Sequence, residues 1–117
     1  MTFNQNPSTG FPHHKLVAYG LALELVKLIA RTRIGDANLR AQARKSATSA
    51  ALNTAEGAAR TSLADKSRFY AIALAECCEA CAAVEIAGAL GACSEVQVRE
   101  VLVLGLRLKN VLSRLVR

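Results

Sequence analysis

Aromatic side chains are scarce in this 117-residue chain: Phe, Tyr and Trp make up 4% of it, and tryptophan is absent. A core without large rings must be aliphatic and alanine-rich, which suits closely packed helices better than stacked sheets. Histidine is equally sparse. His13 and His14 are the two copies, and adjacent residues on a helix point in different directions, unlike the usual metal-ligand spacings. Glu24, Glu56, Glu76 and Glu79 have no Glu-x-x-His partners of the kind a di-metal bundle needs. No phosphate-cradling glycine loop, nucleophile elbow or Ser-His-Asp set occurs. These absences argue against an enzyme and leave no metal or cofactor to expect. Long apolar runs are missing too. Mean hydropathy is +0.24, yet the uncharged run Ser46 to Ala55 is short and partly polar, against the roughly 18 residues of a membrane span. The apolar excess must be buried in protein.

What is present is one domain's worth of chain, 52% hydrophobic. Residues 1–12 read as a flexible lead without the basic start and apolar core of a secretory signal. Residues 13–117 read as four helices. The first covers about Lys15 to Arg31 and is apolar over more than half its circumference, so it must meet more than one neighbour. Gly35 and Asp36 stop it and cap the next, which runs from about Ala37 to Ala59. Ser62 and Asp65 open the third, which ends near Leu90 with Gly91 as its left-handed residue. Ser94 and Gln97 form a capping box for the fourth, which continues to the C-terminus. Short connections make an all-α, up-and-down antiparallel four-helix bundle the expected fold. Cys77, Cys78, Cys81 and Cys93 read as small buried hydrophobes. Disulfides are not expected without a secretion signal, which points to a cytoplasmic protein.

The second helix carries the most distinctive stretch. Leu39, Ala43, Ala47, Ala50, Thr54 and Gly57 share a stripe of little bulk, where another helix can approach closely. Beside it runs a polar ladder of Gln42, Ser49, Asn53, Glu56 and Arg60, which reads as a partly buried structural network. The run Asn53-Thr54-Ala55-Glu56-Gly57, with Arg60-Thr61-Ser62 and Arg68-Phe69-Tyr70-Ala71-Ile72-Ala73, resembles a bacterial four-helix bundle family. That family includes proteins encoded within intervening sequences of 23S ribosomal RNA genes, and is related to the accessory variability determinant proteins of diversity-generating retroelements. Ala22-Leu23-Glu24-Leu25-Val26, Gln42, Arg44 and Ser49 fit the same pattern, and the likeness runs from about Leu16 to the C-terminus. The chain departs from it at Ala51, where proline is common, at Thr54, usually isoleucine, and at Cys81, often a second glutamate after Glu79. The resemblance implies the bundle fold, a ring-shaped homopentamer and a role beside RNA, with a reverse transcriptase as one partner.

Charge supplies the remaining signal. Fifteen Lys and Arg against nine Asp and Glu give +6 and an isoelectric point near 9.6. Six basic residues and one acid, Asp36, fall between Lys27 and Lys45. Arg31, Arg33, Arg40, Arg44 and Lys45, with Arg107, Arg114 and Arg117 on the fourth helix, form the candidate nucleic-acid-binding set. With so few aromatics to stack on bases, contact with RNA or DNA is expected through phosphates and shape. The competing expectation is an oligomeric protein-interaction scaffold with no nucleic-acid role. Apolar arcs on the first and fourth helices, wider than one bundle covers, favour a homo-oligomer in either case.

Overall fold

The computed structural model describes residues 10–117. A short 3-10 turn, Pro12–Lys15, leads into α1 (Val17–Arg31), followed by α2 (Ala37–Ala59), α3 (Leu63–Ala89) and α4 (Glu95–Leu115). Each helix packs on its neighbour in the chain, and α4 closes back on α1. The four-helix order expected from the sequence is present, and no strand occurs among the described residues. The lead expected over residues 1–12 lies largely outside the described part. Of its last residues, Pro12 opens the 3-10 turn, and the Phe11 ring stacks on His13, which meets Tyr19 edge-on at 4.5 Å.

The helix boundaries follow from local chemistry. Asp36 accepts the Leu39 N–H at 2.9 Å, Ser62 that of Asp65 at 3.1 Å, and Ser94 that of Gln97 at 3.2 Å. Each satisfies an orphan donor of a first turn. At the end of α3 the Ala92 N–H donates to the Ala87 carbonyl and the Gly91 N–H to that of Gly88. Gly91 has φ +76°, so this is a Schellman ending, and glycine supplies the left-handed residue without a Cβ clash. One expected detail differs. The Gln97 side chain does not complete a capping box; its Oε1 accepts the Arg33 N–H at 3.2 Å. A second bond, Gly35 N–H to the Ala92 carbonyl at 2.7 Å, ties the same two loops together.

The core is aliphatic, as the composition requires. Leu25, Ile29, Val84, Val101, Leu108 and Leu112 are its largest fully buried hydrophobic side chains. The most extensive contact is α2 on α3, and it is built on the small-residue stripe. Ala43, Ala47, Ala50, Thr54 and Gly57 are buried, and Leu39 is half-buried. A Cβ placed on Gly57 would lie 2.7 Å from Tyr70 Cε1, so the tyrosine ring rests on the α2 backbone where a side chain would otherwise project. With Ala51 in place of proline, α2 runs unbroken through this region.

The apolar excess sits only partly where expected: α4 carries it, and α1 does not. On α1 only Val17 is an exposed large hydrophobic residue, because α2 and α4 flank this 15-residue helix on both sides. Exposed apolar side chains instead gather on α3 and α4, including Ile72, Ile86, Val96, Val103 and Leu106. Two adjoining open grooves, of about 570 and 350 Å³, run between these helices and share Leu102 and Leu106.

Candidate nucleic-acid interface

α1 ends and α2 begins at the same end of the bundle, so residues near that junction meet around one loop. Arg31, Arg33, Arg40 and Arg44 line an open cleft of about 570 Å³ with Thr32, Ile34 and Ala92. Two of these arginines also hold the loop. Arg40 Nη1 donates to the Ile34 carbonyl at 2.8 Å, and Arg44 Nη2 donates to the Ala30 carbonyl at 3.2 Å. Ala30 lies in the last turn of α1, whose carbonyls carry the negative end of the helix dipole, so the Arg44 donor is favoured there, while Arg40 ties down the loop carbonyl of Ile34. Thr32 completes the capping: its Oγ1 donates to the Leu28 carbonyl at 2.7 Å and its N–H to that of Ile29. A guanidinium has five N–H donors, and one bond to a neutral carbonyl leaves Arg40 and Arg44 charged with donors to spare. Asp36 stands in the same loop with its carboxylate engaged at the α2 N-cap.

The rest of the expected basic set is not gathered here. Lys45 is exposed on α2 beside Arg44 but does not line the cleft. Arg107 borders a separate groove on the outer face of α4, with Arg99, Glu100 and Val103. Arg114 and Arg117 lie at the opposite end of the bundle, roughly 30 Å away along α4 at about 1.5 Å per residue. There the Arg117 backbone is latched to α3: its N–H donates to Ser67 Oγ at 2.7 Å, and that hydroxyl donates to the Arg117 carbonyl at 3.0 Å.

The polar ladder on α2 resolves into three local sets rather than one network. Gln42 donates to Ser46 Oγ at 3.3 Å and to the Glu79 carboxylate of α3. Asn53 Nδ2 donates to the Ser49 carbonyl and hydroxyl, at 2.9 and 3.1 Å. Glu56 and Arg60 form an i,i+4 ion pair at 2.7 Å with side chains 46% and 40% exposed, so Glu56 faces solvent. The Arg60 and Arg68 guanidinium groups both lie over the Phe69 ring, at 4.6 and 4.9 Å from its centre. Ser46 and Glu79 were missed by spacing on α2 alone, since one is buried in the stripe and the other comes from α3. The cysteines are free, and Cys78 departs from expectation by being exposed, while Cys77 and Cys93 are buried.

The family model for the 23S rRNA-intervening sequence protein matches residues 14–114. The chain belongs to that family. The match spans all four helices and the arginine-lined loop end, so both are parts of the family's domain in this chain. No curated protein matches it. Among the described residues, no helix is long and apolar enough to cross a membrane.

Proposed function

We propose that the protein is a non-enzymatic accessory factor that binds structured RNA, or an RNA–protein complex, through phosphate contacts. The observation that carries this reading is the convergence of Arg31, Arg33, Arg40 and Arg44 on one open cleft. Loop capping holds two of these guanidinium groups in place before any ligand arrives, which lowers the ordering cost of binding. Arginine's planar fork suits phosphate oxygens. Membership of the 23S rRNA-intervening sequence protein family is consistent with a role close to RNA. The proposed working form is a cytoplasmic homo-oligomer, five copies by the resemblance above, in which several arginine ends act together. A reverse transcriptase is the protein partner that the same resemblance proposes.

Titrating a structured RNA against the protein at increasing salt tests the reading. Four phosphate contacts correspond to a slope of roughly −3 in log K against log salt, taking about 0.7 per contact. Arg31→Gln with Arg33→Gln should weaken binding and lower the slope magnitude by the same ~0.7 per lost contact. These two exposed side chains hold no loop bond, so folding should be unaffected. Unchanged affinity and slope would remove the cleft from the interface. A second reading, a protein-interaction scaffold, draws on the exposed apolar side chains of α3 and α4. It is the reading left standing if the intact protein shows no RNA binding at any salt.

A further inference from the structure

Three of the four cysteines line the smaller groove between α3 and α4, an apolar hollow of about 350 Å³ that also touches Leu106 and Lys109. Cys77 and Cys81, one turn apart on α3, both face Gly105 of α4. The Cys77 thiol donates to the Gly105 carbonyl at 3.4 Å. The Cys81 sulfur occupies the space a side chain at Gly105 would need, since a Cβ there would meet it directly. Absence of a side chain on Gly105 therefore brings both sulfurs to the floor of one hollow. Cys77 is fully buried, Cys81 is half-buried and open to the groove, and Cys78 is exposed.

We propose that this hollow is a covalent-modification site at which Cys81 takes small, uncharged, soft electrophiles of the α,β-unsaturated carbonyl class. Cys81 loses its proton to solvent, and the thiolate sulfur bonds to the β-carbon. The π-pair of the C=C bond moves toward the carbonyl as an enolate, which takes a proton from water at the α-carbon. Lys109, at the rim, supplies a cation for the oxygen on which negative charge develops. Cys77 is the positioning residue: its S–H turns from the Gly105 carbonyl to the Cys81 thiolate. That hydrogen bond holds Cys81 below the ordinary thiol range, opposed by burial and by Glu85 one turn on. The same bond, with burial and the neighbouring Cys81 and Cys78, keeps Cys77 protonated. Charge thus rests on the more accessible sulfur. The walls favour an uncharged reagent, and Cys78, three residues before Cys81 at the exposed edge of the same hollow, serves as an internal reference.

N-Ethylmaleimide at limiting amounts, with adducts located by peptide mass spectrometry, tests the site in the full chain. A lower thiol pKa gives about tenfold more thiolate per unit, reduced to roughly threefold in rate by weaker intrinsic nucleophilicity. Cys81 should therefore be labelled several-fold faster than Cys78 on the acid side of neutrality, with the difference shrinking as pH rises. The comparison is made over a dilution series and judged at the lowest concentration, where association through α3 and α4 least protects the groove. Cys77→Ala should move the Cys81 pH profile upward, and Cys77→Ser, which keeps a donor, should restore it. Labelling of Cys78 at least as fast as Cys81 would overturn the proposal, as would a Cys77→Ala profile identical to the parent's. The first comparison needs no variant and so does not depend on a substitution folding.

Discussion

Gly57 is the residue on which the α2–α3 contact turns. Tyr70 is buried against it, and burial pushes the phenol upward in pKa, in keeping with a ring held in an apolar seam. Gly57→Leu should destabilise the protein by about 1–3 kcal/mol or more, because the side chain must displace that ring or separate the helices. Denaturant unfolding measures this, and a midpoint equal to the parent's would show that the contact is loose. Glu56, one position earlier, should behave oppositely. As an exposed i,i+4 partner of Arg60, its replacement by alanine should cost only about 0.3–0.5 kcal/mol in the same assay. The sequence placed both residues on adjacent stripes of one helix. It could not show that Glu56 faces water while Gln42, Ser49 and Asn53 stay half-buried, since Gln, Asn and Glu can satisfy a buried network or lie at a surface. Only the position of α3 decides between them.

At the scale of the helix, start and stop chemistry was legible because it is local. Asp36, Ser62, Ser94 and Gly91 act within a few residues of themselves, and each does what its type and position indicate. Asp36→Ala should cost about 1 kcal/mol, measured by the same unfolding curves, and should loosen the loop that positions the arginines. Gln97 shows where local reading ends. A capping box and a tie to a distant loop ask for the same residue, and nothing within α4 indicates that the Arg33 N–H will be near. Of the two expected apolar arcs, the one on α4 is left open and the one on α1 is not. Periodicity gives the width of an arc, but α1 is covered on both flanks while α3 and α4 are not, and coverage depends on how the four helices surround one another. The arginines were legible as a charge excess between Lys27 and Lys45. Their division into a cleft-lining group and others at the far end was not, because sequence proximity to one loop does not reveal which end of the bundle a distant residue reaches.

For the molecule as a whole, basic groups lie at both ends of a body 44 Å long, so one copy cannot bring Arg31 and Arg117 to the same short stretch of backbone. Association of several copies, as proposed above, would overcome this by placing equivalent loop ends side by side. The surface available for it is on α3 and α4, where Val103 and Leu106 remain 59% and 57% exposed. Apolar side chains at such an interface are removed from water on assembly, whereas a carboxylate would have to be buried unpaired. Val103→Glu with Leu106→Glu should therefore reduce the oligomer to monomer in light scattering and leave helix content unchanged, since neither side chain belongs to the core. The same variant should still bind RNA, because its loop-end arginines are untouched. Its affinity should fall and its salt dependence become shallower, as fewer cationic ends engage one ligand. An oligomer of unchanged size would place the interface on another face. A monomer with the parent's full RNA affinity would show that one arginine end suffices, and that assembly serves something other than binding.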